Sequence, residues 1–321
     1  LRNMKRLIST LLAYFFFLAL LAQEVKTFEL RNNTGMNAVV SNYGARVMKL
    51  EVRNWNGRLE PVIKGYAHIS NYNDDITLGA TLINNAENAP LVSADKVWEV
   101  VNVESQTATF CCITDIINGD YKGKLKVTVT YTLSDQNALD IDYNVSSTIS
   151  THCQITNGIV FNLSGDTNRS ILKQYLWIDS YKTNALNANQ KLAHKQKKMR
   201  YTSLDFNQPR ELGERINNFQ NGYNHTFQLR HPSKTQNPAA ILFDEQSGRV
   251  MTVHICEPSL HINSYGKLST GISFQPIRAG YDGNKKEINT AISPEKEFHS
   301  TTVFAFSTDP PLIMRREHIV K

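Results

Sequence analysis

Apolar and polar residues alternate with a period of two along most of this chain. Lys124-Leu-Lys-Val-Thr-Val-Thr-Tyr-Thr-Leu133 puts an apolar or β-branched side chain at every second position. That pattern predicts an antiparallel strand with one buried face. Leu139-Asp-Ile-Asp-Tyr-Asn-Val145 repeats it, and Ser134-Asp-Gln-Asn137 between them predicts a hairpin turn. Residues 38–52, 97–103, 107–114, 239–243, 249–255 and 300–307 carry the same signal. Asn56-Gly57, Asn118-Gly119 and Asp282-Gly283 are pairs that tight hairpin loops prefer. Helical periodicity is confined to the N-terminal leader, with a short turn expected near residues 210–216. The predicted fold is all-β, a large antiparallel β-sandwich in a single domain. No fixed repeat and no Pro/Ser/Gly-rich linker divides it. The polar segment 185–200 is expected to be a surface loop inside the domain. Trp55 and Trp98 are expected in the core, and Trp177 in the core or as a platform for stacking a sugar.

The N-terminus changes the expected compartment. Met4-Lys5-Arg6 is a short basic region leading into an uncharged apolar run, residues 7–22, that contains Phe15, Phe16 and Phe17. The run is about 16 residues long, against the roughly 20 that a membrane-spanning helix needs, so it reads as a cleavable signal peptide. Cleavage is expected after Ala22 or Gln23, with the protein exported to the periplasm or secreted. The expected organisation is a leader at residues 1–23, one sandwich domain at 24–308 and a trailing tail at 309–321.

Charge and cysteines exclude some partners. Removing Arg2, Lys5 and Arg6 takes the formal charge from +6 to about +3, a mild excess. The densest basic run, His194-Lys-Gln-Lys-Lys-Met-Arg200, contains no aromatic residue to stack a base, so no nucleic-acid partner is expected. No membrane contact is expected once the leader is gone, and no protein partner is legible. Cys111 and Cys112 are adjacent in a strand-like run and point to opposite faces. Cys153 and Cys256 could pair only if the fold brought them together, and no cysteine has zinc-like spacing with histidines.

Three motifs carry a resemblance. Gly79-Ala-Thr81, Ile155-Thr-Asn-Gly-Ile-Val-Phe-Asn-Leu-Ser-Gly165 and Gly222-Tyr-Asn-His-Thr-Phe227 occur in order, with Asn42-Tyr-Gly-Ala-Arg46 and Lys96-Val-Trp-Glu-Val100 among them. Together they resemble the aldose 1-epimerase (galactose mutarotase) family over nearly the whole mature chain. The resemblance implies a β-supersandwich whose broad concave face holds a monosaccharide or the end of a glycan. It also implies a reaction without metal or organic cofactor. A glutamate takes the anomeric proton, a histidine protonates the ring oxygen, and the ring opens and recloses.

Position by position, the sequence departs from that chemistry. The family's Thr-Asn-His-x-x-Phe-Asn-Leu has Gly158 at the acid histidine. Gly271-Ile-Ser-Phe-Gln-Pro276 puts Gln275 where the base glutamate belongs, and an amide cannot accept a proton at neutral pH. The family's Asn-Arg pair falls on Glu87-Asn88, and its His-Gly-Gly segment has no counterpart. The aspartate of Tyr-Asp-His is Asn224, followed by an intact His225 that is expected to be structural. The glutamine of Glu-Pro-x-x-Gln is His261.

Asn88, Asn224, His261 and Gln275 are therefore the expected carbohydrate-binding residues, with no catalytic pair. Glu87 with His261 is the alternative acid and base. The function expected is an exported carbohydrate-binding member of this family without normal mutarotase activity. One alternative is an active aldose 1-epimerase or related hexose epimerase with a rearranged pocket. A second is a protein-interaction scaffold.

Overall fold

The computed structural model describes residues 24–85, 88–186, 192–231, 237–278 and 291–315. The leader at 1–23, Glu87, Asp282-Gly283 and the last residues from 316 lie outside the described residues. Among those described, helical turns are limited to short 3-10 segments, and the rest of the regular structure is antiparallel strand.

Two sheets dominate. The larger has nine strands, in the spatial order Arg210–Glu211, Tyr175–Ile178, Ala240–Asp244, Arg249–Ile255, Phe298–Ser307, Ala138–Ser147, Tyr121–Ser134, Thr107–Asn118 and Glu99–Val103. Phe298–Ser307, the last strand in sequence, sits in the interior of this sheet, paired with Ala138–Ser147 on one side and Arg249–Ile255 on the other. The second sheet has six strands: Val160–Phe161, Ile272–Ile277, Ser259–Asn263, Asn224–Leu229, Ser180–Leu186 and Leu192–Lys198. Smaller sheets of four, three and two strands complete the fold.

The period-two pattern explains the packing. Val127, Val129, Tyr131 and Leu133 alternate inward with Leu139, Ile141, Tyr143 and Val145, all buried in one continuous core with Phe227, Leu260, Ile262 and Phe274 of the six-stranded sheet. Phe161 fastens the two sheets, its ring 4.7 Å from Phe304 and 6.2 Å from Phe274. Full burial of such a side chain contributes roughly 1.5–3 kcal/mol.

The structure corrects three expectations. Residues 38–52 form two strands, Asn37–Ser41 and Arg46–Arg53, because the chain turns at Gly44 with φ of 70°. Residues 185–200 are largely strand: Ser180–Leu186 and Leu192–Lys198 pair as the outer hairpin of the six-stranded sheet. The exposed Lys197 and Lys198 at the end of this outermost strand suit a sheet edge, and such polarity reads as loop in the sequence. Trp55 is 60% exposed rather than in the core, whereas Trp98 is buried. Within the expected tail segment 309–321, the turn Leu312–Met314 buries Met314 against Ile241, Phe243 and Val250. All four cysteines are free thiols.

Candidate functional site

Strand register assembles the site. In the six-stranded sheet His261 stands opposite Gln275 on one side and opposite Thr226 on the other. One pair along, Asn263 faces Asn224 and Ser273. Side chains of paired residues share a face, so these six polar residues cover one side of the sheet. The alternate positions, Phe227, Leu260, Ile262 and Phe274, are all buried in the core. None of the six carries a carboxylate. Amides, hydroxyls and a neutral imidazole each both donate and accept, which is the chemistry that matches ring hydroxyls.

His261 is neutral at physiological pH. Burial, with a smaller contribution from His225, pushes its imidazole down to about 4. Its Nδ1 is bonded to Thr226 Oγ1 at 2.9 Å, which fixes the ring and leaves Nε2 for a ligand. The Gln275 amide donates from Nε2 to the Asn157 carbonyl at 3.3 Å, leaving Oε1 as an acceptor. Tyr265 borders the same face. Its φ is +54°, its amide donates to Asn263 Oδ1, and its hydroxyl reaches Ser273 Oγ at 3.3 Å. The residue remains 55% exposed, so part of its ring is available to stack on a ligand.

Gly158 belongs to a different environment. Its N–H donates to the Ala80 carbonyl and its own carbonyl accepts from Gly79 N–H, both at 2.8 Å. A Cβ at this position would lie 1.9 Å from the Thr77 carbonyl oxygen. No side chain of any kind fits here without moving the 77–80 turn. Arg46 holds that turn. Its buried guanidinium donates to the carbonyls of Tyr43, Leu78, Ile76 and Ala94 and lies over the rings of Tyr43 and Tyr72. The second asparagine of the motif is likewise structural: Asn162 Nδ2 contacts the carbonyls of Arg169, Thr270 and Asp166 and gathers three loops.

Three of the four expected binding residues, Asn224, His261 and Gln275, share the polar face. Asn88 does not share that sheet. It lies beyond the strand Thr81–Asn84 of the three-stranded sheet, where Asn84 Nδ2 donates to its Oδ1. Glu87, the expected partner of His261 in an acid–base pair, is outside the described residues. His225 accepts from the Asn224 amide and packs on Phe219, a structural hydrogen-bonder. Trp177 packs in a small cluster with Ile241 and donates from its indole to the Asn207 carbonyl. Thr226 and Ser273 lay inside quoted motifs without an assigned role, and Asn263 and Tyr265 lay in no motif. Their only signal was polar residues at alternate positions of otherwise apolar strands.

Comparison with known proteins agrees with this architecture. The model of a family described as aldose 1-epimerase matches residues 91–304. Galactose mutarotase of Sus scrofa is 25% identical over 329 residues, covering 89% of this chain and 95% of that protein. The Homo sapiens galactose mutarotase is also 25% identical, with 88% and 94% covered. Among solved structures, a GalM/aldose epimerase homologue from C. elegans superposes with a TM-score of 0.78 at 17% identity, covering 88% of this chain and 99% of the other. Galactose 1-epimerase from Lactobacillus acidophilus gives 0.70 at 20% identity, with 89% and 99% covered.

Proposed function

Given that the chain belongs to the aldose 1-epimerase family, we propose that it binds a neutral monosaccharide or glycan end on the polar face without running mutarotation at a family-like rate. The observation that supports this most directly is the registered pair of His261 and Gln275. Mutarotation requires one group to take the anomeric proton and another to give a proton to the ring oxygen. Gln275 is an amide and does neither at neutral pH. An imidazole titrating near 4 is a weak base, and at pH 7 it holds no imidazolium proton to give. The same groups are well suited to hold hydroxyls: His261, Gln275 and Asn224 stand on one face of the sheet, with Tyr265 bordering it. The basic-then-apolar leader supports an exported protein, so this binding belongs outside the cytoplasm.

The test couples two measurements. Interconversion of α- and β-glucose and of α- and β-galactose, followed by polarimetry, is expected to proceed at the buffer rate. Titration of a monosaccharide panel by NMR is expected to reveal a ligand whose binding weakens about tenfold in His261→Ala, a loss of about 1.4 kcal/mol. A rate clearly above buffer that His261→Ala abolishes would replace this reading with an active epimerase built on a rearranged pocket. Absence of binding across the panel would sink the carbohydrate-binding reading itself.

A further inference from the structure

A cleft of about 360 Å³ is lined by Trp55, Phe243, Glu245, Pro310, Met314 and Arg315, among others. Its volume lies in the range of small-ligand sites, about 300–1,000 Å³. No lining residue comes from the six-stranded sheet. Trp55 sits in the turn after Arg46–Arg53. Phe243 and Glu245 come from the end of Ala240–Asp244 and the turn behind it, and the rest follow Phe298–Ser307.

Trp55 is unusual for its exposure combined with its support. The Asn54 side chain closes the turn by accepting from the amides of Asn56 and Arg58. The Trp55 amide donates to the Ser247 carbonyl at 3.1 Å, joining this turn to the neighbouring one. The indole rests against Gly248, whose φ is +71° and where a Cβ would come within 2.9 Å of a ring carbon. Beneath both turns the fully buried Arg249 bonds Glu60, the Val52 carbonyl and the Leu163 carbonyl. A large aromatic ring is thus held in place on a rigid base while the residue stays 60% open to solvent.

We infer that this cleft is a second sugar-binding site, which takes one pyranose ring of a neutral glycan against the Trp55 indole. A pyranose has an apolar face of axial C–H groups and an equatorial belt of hydroxyls. The first matches the exposed Trp55 indole, with half-buried Pro310 in the same cleft. The second matches charged groups around the rim. Those rim charges also favour an uncharged ligand: Arg315 Nη2 lies 3.7 Å from Asp309 Oδ1, and Glu245 adds a further carboxylate, so no net positive charge draws an anion. With the polar face holding one sugar and this cleft another, a longer glycan or two chains could be held by one molecule, and avidity would follow from the linkage.

The experiment uses the full chain and a defined panel: maltotriose, cellotriose, xylotriose and β-1,4-galactobiose. The indole Nε1–H resonance of Trp55 is assigned by its loss in Trp55→Phe and followed during titration. At least one oligosaccharide is expected to shift it, and Trp55→Ala to weaken that binding about tenfold or more, about 1.4 kcal/mol. His261→Ala is expected to leave the Trp55 shift unchanged, which separates this site from the polar face. The inference is overturned if no probe shifts the Trp55 resonance up to its solubility limit, or if Trp55→Ala binds every probe as well as the native chain. It is equally overturned if the Trp55 shift disappears in His261→Ala while that variant stays folded. A loss of monosaccharide binding at the polar face alone would count against the first proposal and leave this one standing.

Discussion

Gly158 and Gln275 are the two positions where the sequence led us to expect the family's acid and base, and the two obey different physics. Gly158 is sealed: backbone bonds to Gly79 and Ala80 close on it, and the Thr77 carbonyl occupies the volume of any Cβ. Gln275 stands on a half-open polar face, where its amide has one backbone partner and room for a carboxylate of nearly the same shape. A histidine at 158 therefore needs a rebuilt turn, whereas a glutamate at 275 needs a single substitution. The glycine at 158 is held by the backbone around it, and the amide at 275 is a property of one side chain.

The sealed side can be tested most severely through Arg46. Arg46→Ala removes the guanidinium that four buried carbonyls accept from, and about 3–5 kcal/mol of stability is expected to go with it, measured by urea unfolding. A loss below about 1 kcal/mol would show that the 77–80 turn does not depend on this side chain. A direct comparison of the two positions comes next. Gly158→Ala is expected to destabilise by about 3 kcal/mol, at the upper end for overpacking a tight site, while Gln275→Ala changes the unfolding midpoint little. Equal effects of the two would break the contrast.

The smallest effect is a pH dependence of the open face. His261 has a folded pKa of about 4, below its unfolded value near 6.5, so between these values the unfolded chain takes up a proton that the folded chain does not. Stability contributed by the neutral imidazole is complete above about pH 6.5 and is lost as pH falls towards 4. The loss is on the order of 2 kcal/mol once partial exposure is allowed for. Urea unfolding at pH 7 and pH 4.5 should show a flatter profile in His261→Asn than in the native chain.

Much of this architecture is legible in the sequence because a strand writes its burial at every second residue. Arg249–Ile255 can be read at its observed bounds. The polar face was half legible. Asn224 and Thr226, His261 and Asn263, Ser273 and Gln275 are each two apart, so each pair must share a face, but only the register shows that the three faces are one. Asn88 was placed with them through a motif whose strand went to another sheet. The seal over Gly158 joins residues about 80 apart through backbone atoms, and backbone contacts leave no trace in residue type. Trp55 was misread because residue type suggested the core, although Asn54-Trp-Asn-Gly57 has the composition of an exposed turn.

The central place of Phe298–Ser307 in the nine-stranded sheet has a consequence for biogenesis. Its partners, Ala138–Ser147 and Arg249–Ile255, are both synthesised earlier, and until the last strand arrives each presents an open edge of main-chain donors and acceptors. A chain emerging from the ribosome holds two half-sheets that residues 298–307 join. Closure is therefore post-translational and long-range, the regime of slow folding and of exposure to aggregation. Premature termination between Ile255 and Phe298 should yield two sticky edges rather than a smaller working protein, and such fragments are natural clients for chaperones.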